Sequence, residues 1–354
     1  MMARLEEICA INMGQSPDSS TYNEDGNGLP FFQGNADFGE IYPAVRMWCS
    51  EPTKIAREKD ILISVRAPIG ALNIANCECC IGRGLAALTV NEDICAQEYL
   101  WHALSGKVDE LNSKGTGSTF KAINKKTLSE TEIPLPPIDE QRKIAAILDK
   151  VSDLIAKRQQ QLDKLDEAVK VRFVEMFGDC YTNPHNLPIE KWNNIFSTTT
   201  GKLDSNAAVE NGKYPFFTCS KETLRINTYA FDQEALLLAG NNAAGKYDVK
   251  YYCGKFNAYQ RTYVLSLKHD WSYALFRFQL EDKLGYLEQQ SLGGLTKYLT
   301  LKILNELEFI VPPKEEQDKF AAFVDQIEKT KTTVSHSLEK LETLKKALMQ
   351  EYFG

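Results

Sequence analysis

The sequence predicts an α+β protein built twice over: two mixed α/β globules, each followed by a long helix, the two helices paired as an intramolecular coiled coil. Three observations predict it. A 44-residue segment recurs 176 positions further on. Each copy carries the 3-4 apolar spacing of a coiled coil. The stretches that precede the copies, 1–134 and 179–310, are of similar size and share landmarks. Internal repetition of this kind sets architecture before any local reading does. It divides the chain into a first globular domain (1–134), a central helix (135–178), a second domain (179–310) and a C-terminal helix (311–354).

The helices come first because their signal is strongest. Residues 135–178 and 311–354 align without a gap, and 15 of the 44 positions are identical, among them Pro136/Pro312, Pro137/Pro313, Glu140/Glu316, Gln141/Gln317, Asp149/Asp325 and Gly178/Gly354. A Pro-Pro pair disfavours helix before it, and acidic residues just after it suit the positive end of a helix dipole. Gly178 stands where a helix stops, since glycine accepts the left-handed cap. One seam runs through Ile144, Leu148, Val151, Ile155, Leu162, Leu165 and Val169, interrupted by Arg158 and Arg172. The other runs through Phe320, Val324, Ile327, Val334, Leu338, Leu341 and Leu348, interrupted by Lys331 and Lys345. A lone stripe of this type is usually the inner face of a bundle helix. Two matching stripes bury each other most simply. At about 1.5 Å per residue each helix is a rod of roughly 58 Å.

The globular segments are read from their landmarks. Leu29-Pro30-Phe31-Phe32 recurs as Tyr214-Pro215-Phe216-Phe217, Lys59–Ser64 corresponds to Gln233–Leu238 with a short apolar strand expected in each, and β-like runs stand again at Leu85–Val90 and Thr262–Leu267. Helical stretches are expected near 96–112 and 271–289. Gly117, Lys121, Leu128 and Glu132 recur 176 positions on as Gly293, Lys297, Leu304 and Glu308. Between these points the two domains diverge.

Composition is that of an ordinary globular chain, with 43% hydrophobic and 25% charged residues. No apolar run reaches the ~18–20 residues of a membrane span. The N-terminus has no leader pattern, so the nine cysteines read as reduced thiols and the expected setting is cytoplasmic. Net charge is −7: residues 1–134 carry −6, 135–178 and 179–310 are neutral, and 311–354 carry −1. An acidic chain that holds nucleic acid must gather its basic residues on one face, or share the phosphates with partners.

The doubled motif Pro136-Pro137-Ile138-Asp139-Glu140-Gln141 and Pro312-Pro313-Lys314-Glu315-Glu316-Gln317, each opening a long helix after a variable domain, resembles the specificity subunits of type I restriction-modification systems. The resemblance covers essentially the whole chain. It implies two target-recognition domains, each reading one half of a split, asymmetric sequence in double-stranded DNA. It implies antiparallel pairing of the two helices, which set the spacer and dock two methyltransferase subunits, with nuclease/translocase subunits as further partners. It implies a non-catalytic chain without a cofactor of its own, S-adenosylmethionine belonging to the methyltransferase partner and ATP with Mg to the nuclease partner. A rod longer than one DNA turn, about 34 Å, can hold two readers over separate major-groove sites.

Base and phosphate contacts call for Arg, Lys, Asn, Gln and hydroxyl side chains on loops. In the first domain the candidates are Gln15 and Ser16, in a Gly-Gln-Ser-Pro loop similar to the family's early glycine-hydroxyl-proline loop. They continue with Arg66, Arg83, and Lys114, Thr116, Ser118, Thr119 and Lys121 of a basic, hydroxyl-rich loop. In the second they are Lys202, Asn241, Asn242, Lys246, Lys250, Lys255, Arg261 and Lys297. Residues 241–268 carry a net charge of +4 and interleave lysines with Tyr247, Tyr251, Tyr252, Phe256, Tyr259 and Tyr263. That mixture suits a nucleic-acid face, and equally a strand with tyrosines inward and lysines outward.

Other signals are set aside. The stretch from Gly240 to Tyr247 nearly spells a phosphate-binding loop, but Tyr247 replaces the magnesium-binding hydroxyl and strand-like alternation follows. Cys77, Cys79 and Cys80 lack a second ligand pair for zinc at a usual spacing, and the four histidines are scattered, so no metal site is expected. No methyltransferase Asn/Asp-Pro-Pro-aromatic motif and no glycine-rich cofactor loop is present. Two competing readings remain: a coiled-coil scaffold that binds proteins, and a nucleotide hydrolase built around Lys246.

Overall fold

The two repeats fold as single helices, Ile138–Phe177 and Lys314–Phe353, in the computed structural model, which describes residues 1–117, 121–242, 245–294 and 296–354. Their ends are made the same way. The carbonyl of Pro137 accepts from the backbone N–H groups of Glu140 and Gln141 at 2.9 and 3.0 Å, and that of Pro313 from Glu316 and Gln317 at 2.9 and 3.1 Å. At the other end Gly178 sits at φ +74°, where a Cβ would fall 2.4 Å from the Pro184 ring. Only glycine fits that left-handed, crowded turn.

The chain forms two compact units, Met1–Gln159 with His336–Gly354, and Gln160–Ser335, so each unit takes one half of both long helices. Within the first, Leu348, Met349, Tyr352 and Phe353 of the C-terminal helix pack into the cluster that holds Ile144, Ala145 and Leu148 of the central helix. Late turns of one helix therefore meet early turns of the other. The second unit repeats the arrangement with roles exchanged: Val169, Phe173, Met176 and Phe177 share a cluster with Phe320 and Val324. Asp166 pairs there with Lys331 at 2.7 Å. Pairing is antiparallel in both units.

The predicted seam is the inward face. Ile144, Leu148, Val151, Phe320 and Val334 are buried, and Ile155, Leu162, Leu165, Val169, Val324, Ile327, Leu338, Leu341 and Leu348 are half-buried. Partial burial is what a two-stranded coil gives, since one side of each seam residue still meets water. Polar interruptions are accommodated individually: Lys331 finds Asp166, and the Arg172 guanidinium lies 5.9 Å from the Phe323 ring.

A buried glutamine joins each long helix to its globular domain. Gln141, fully buried, accepts a hydrogen bond from the backbone N–H of Ala96 at 2.9 Å and donates to the carbonyls of Ile94 and Pro136. Gln317 accepts from Ser272 N–H at 2.9 Å and donates to Pro312 at 2.9 Å. Ala96 and Ser272 are the N-cap residues of the domain helices Gln97–Ser105 and Tyr273–Asp282. The glutamine of the Pro-Pro-x-x-Glu-Gln motif thus satisfies an orphan N–H at the start of a second helix. Above it, His102 pairs with Asp149 at 2.7 Å in the first unit, and Phe278 stacks on Phe173 in the second.

The sheets follow one plan. In the first unit a four-stranded sheet has the order Cys9–Met13, Leu85–Val90, Ile61–Ser64, Leu72–Ile74. Leu88 stands between Ile11 and Ile61. In the second unit Leu265 of Thr262–Leu267 stands between Thr198 and Leu236. The matched Pro-Phe-Phe strands, Leu29–Phe32 and Tyr214–Phe217, both run parallel to a neighbour, pairing Phe32 with Ile81 and Phe217 with Ala258. The predicted helical stretches are each two helices, Gln97–Ser105 and Val108–Lys114, then Tyr273–Asp282 and Leu284–Gln290, because Gly106 and Lys283 cap the first of each pair.

Candidate nucleic-acid interface

Four loops of the first unit are stitched together at one end of its four-stranded sheet. The backbone N–H of Gly14 donates to Leu85, that of Val65 to Gly84, and that of Ile123 to Val65, all at 2.9 Å. Thr116 and Ala122 exchange backbone bonds, and Arg66 bridges to Ala122. The Arg83 N–H reaches the Ser16 hydroxyl at 3.3 Å. Gln15, Ser16, Arg66, Arg83, Thr116 and Lys121 are thereby brought to one rim. A cleft of about 310 Å³ opens on it, lined by Ser16, Arg66 and Arg83 together with Gln33, Asn35 and Arg46. Those last three belong to a segment that sequence reasoning passed over. The available signal was its position, directly after the matched Pro-Phe-Phe strand. Ser118 and Thr119 lie outside the described residues.

The second unit builds the same rim from different side chains. Leu299 N–H donates to Gly240 at 2.8 Å as Ile123 does to Val65, and the bridge of Asn241 to Tyr298 matches that of Arg66 to Ala122. Asn241 therefore occupies the place of Arg66, and Lys297 that of Lys121. Tyr259 N–H donates to Phe217 at 2.9 Å as Gly82 does to Phe32 at 2.8 Å, which sets Gln260 in the place of Arg83. Gln260 N–H bonds to Leu203, the residue after Lys202. Arg261 follows Gln260, and Asn242 follows Asn241. Gly245, whose added Cβ would lie 3.3 Å from Lys297, brings the exposed Lys246 alongside. Gln260 was not anticipated.

Charge pairing separates the basic candidates. Among the described residues, Arg66, Arg83, Lys121, Lys202, Lys246, Arg261 and Lys297 have no ion-pair partner, and all but the half-buried Lys297 are exposed. All seven are on the two rims. Three others are neutralised elsewhere. Lys114, on the last turn of Val108–Lys114, meets Glu110 at 2.6 Å, and that bond holds the Glu110 carboxyl below its usual range. Lys250 pairs with Asp248 and donates to the Ser220 carbonyl at 2.8 Å. Lys255 lies 3.8 Å from Asp232, with its ammonium 4.8 Å from the Tyr229 ring, at the end of strand Phe231–Ala239 remote from Gly240.

The basic-aromatic stretch 241–268 accordingly does not form a single face. Tyr247 and Phe256 are buried, Tyr252 packs against the Phe217 and Phe256 cluster, and Tyr263 donates its hydroxyl to the Leu299 carbonyl at 3.0 Å. Alternation along strand Val249–Ala258 divides the stretch between two faces, Lys250, Tyr252 and Phe256 on one and the exposed Tyr251 and Lys255 on the other, so tyrosines and lysines do not sort by face. The same ten-residue strand stands where a phosphate-binding loop needs a helix. Cys79 and Cys80 are buried in strand Cys79–Ile81, and burial pushes their thiols up to about 12 and about 11.

Among the described residues no helix is long and apolar enough to cross a membrane. Comparison with known proteins agrees with the doubled plan. The chain is 44% identical over 165 residues to the putative type I restriction enzyme MjaX specificity subunit of Methanocaldococcus jannaschii, a match covering 47% of this chain and 39% of that protein. It is 35% identical over 162 residues to the type I restriction enzyme EcoDI specificity subunit of Escherichia coli, covering 44% and 35%. These matches span well under half the length of either relative. The crystal structure of a type-I restriction-modification system S subunit from M. genitalium superposes with a TM-score of 0.70 over 100% of this chain and 96% of that one, at 15% identity, and so shares the fold. Residues 1–167 and 191–343 match the family described as Type I restriction modification DNA specificity domain, and the chain belongs to that family.

Proposed function

We propose that this chain is the DNA-recognition subunit of a type I restriction-modification complex, each globular lobe reading one half of a split, asymmetric target. The observation that carries the reading is the repeated rim. At one structural place in both units, loop residues gather cations that have no ion-pair partner among the described residues, together with side-chain amides, of which Gln260 donates one hydrogen to Asp204 at 3.4 Å, while the remaining basic candidates are neutralised. Unpaired cations displace counterions from phosphates, and amides and guanidinium groups read base edges. Different side chains at equivalent places make the two half-sites different. The paired helices serve as the spacer and as the docking face for two methyltransferase subunits. Ile147 and Leu154, one heptad apart on the central helix and 44% and 38% exposed, suit such a face. The chemistry belongs to the partners: S-adenosylmethionine to the methyltransferase, and ATP with Mg to a nuclease/translocase where one joins. The complex works in the cytoplasm on double-stranded DNA.

Lys297 and Lys255 test the reading within one domain. Lys297→Ala should weaken duplex binding across sequences and lower the slope of log K against log salt by about 0.9, the contribution of one phosphate. Lys255→Ala, which removes a cation already paired with Asp232, should leave that slope unchanged. Salt titration of a fluorescent duplex by the full chain with its methyltransferase partner measures both. Equal slopes for the two variants would remove the rim from the interface.

A further inference from the structure

The two rims differ in chemistry at positions that the backbone makes equivalent. Arg66 and Asn241 bridge to Ala122 and Tyr298, residues 176 apart in the repeat. Arg83 and Gln260 each follow the residue whose N–H donates to the second phenylalanine of a matched strand, Gly82 to Phe32 and Tyr259 to Phe217. At two equivalent places the first domain therefore carries a guanidinium and the second a primary amide. The Arg66 and Arg83 side chains have no hydrogen-bond or ion-pair partner among the described residues, and both line the 310 Å³ cleft. Arg46, on the same cleft, is instead held by Asp37 and the Ala36 carbonyl. Two guanidinium groups are thus left to a ligand. Among the described residues one carboxylate lines the cleft, Asp37, and it is committed to Arg46 and to the Gln33 backbone N–H at 2.7 Å.

Guanidinium forks match the paired acceptors O6 and N7 of guanine in the major groove, whereas a side-chain amide matches the acceptor N7 and donor N6 of adenine. We infer that Arg66 and Arg83 read guanines in the half-site of the first domain, and that Asn241 and Gln260 read adenines at the corresponding positions of the other half-site. This rests on the DNA-recognition reading and adds to it the base class at four positions. Arg261 stands in the place of Gly84 and lies outside the pairing, so a guanine elsewhere in the second half-site is compatible with it.

Selection from a random duplex pool tests the inference, using the full chain assembled with its methyltransferase partner. The wild type should enrich a split motif with two guanine positions in one half. Arg66→Asn with Arg83→Gln should lose guanine at those two positions and keep the other half-site intact. Asn241→Arg with Gln260→Arg should convert two adenine positions of the other half toward guanine. Replacing either guanine by 7-deazaguanine, which removes only the N7 acceptor, should weaken the wild type by roughly 5- to 150-fold per position. That measurement uses unaltered protein, so it holds even where a variant fails to fold. Loss of binding to all sequences alike by the arginine variants, with base preference unchanged, would make Arg66 and Arg83 phosphate contacts and overturn the inference alone, as would indifference to 7-deazaguanine. A pool with no sequence preference overturns the DNA-recognition reading and this inference with it.

Discussion

Gln141 shows how much one side chain carries at the junction of helix and globule. It is fully buried and makes three hydrogen bonds to backbone atoms, one of them from the N-cap of the earlier helix Gln97–Ser105. Gln141→Ala leaves the Ala96 N–H and the Gln141-facing carbonyls without partners in a dry site, at a cost of about 1–3 kcal/mol. Urea denaturation of the full chain should register that loss, and Gln160→Ala, on an exposed helix face, should change little. Equal midpoints for the two variants would mean that water replaces the glutamine without penalty. The motif itself was legible in the sequence, through the identity of Gln141 and Gln317 across the repeat. Its purpose was not, because the partner lies 45 residues earlier and only tertiary folding brings it near. Ion pairing was equally hidden: nothing local distinguishes Lys297 from Lys255, and the difference rests on Asp232 across a strand pair.

Elements were read more fully than residues. Strands Leu85–Val90 and Thr262–Leu267 stand where short apolar runs put them, Leu85–Leu88 being buried on both faces, and both long helices stand where the heptad spacing puts them, because burial of one stripe imposes a period on a helix. The loops between them were not legible. Cys9–Met13 corresponds to Phe196–Thr200 at a separation of 187, while Leu85–Val90 and Thr262–Leu267 are 177 apart. The first domain carries extra length after Phe32, and that segment holds Arg46 and strand Trp48–Cys49. Helix pairing also has an anchor that the heptad pattern understated. Phe320 is fully buried, with ring centroids 5.7, 5.8 and 5.9 Å from Phe173, Phe177 and Phe278. Phe320→Ala should cost about 3–5 kcal/mol, the loss of a buried aromatic plus its cavity. Lys331→Ala, breaking a pair whose Asp166 is 60% exposed, should cost no more than about 1 kcal/mol. Thermal or urea unfolding of the two variants should rank them in that order. The reverse order would place the stability of the pair in its charges instead of its aromatic cluster.

For the whole molecule the proposal makes two separable demands. Recognition belongs to the globular lobes, so exchanging residues 179–310 for the matching segment of a relative should change one half-site and leave the other. Spacing belongs to the helices. Each is 40 residues long and unbroken, and at 1.5 Å per residue the removal of one heptad shortens it by about 10.5 Å. A heptad is the deletion to make, because seven residues return the seam to its own face and keep the paired surface apolar. Along a duplex, where bases rise by 3.4 Å, that distance is about three base pairs. Removing 157–163 and 334–340 together should therefore shorten the spacer of the methylated target by about three base pairs, or abolish methylation where the twist of the shortened spacer carries the second half-site off the reading face. Modification-sensitive sequencing of cells expressing the complex distinguishes these from the one result the spacer role does not allow: the original target, methylated at its original spacing.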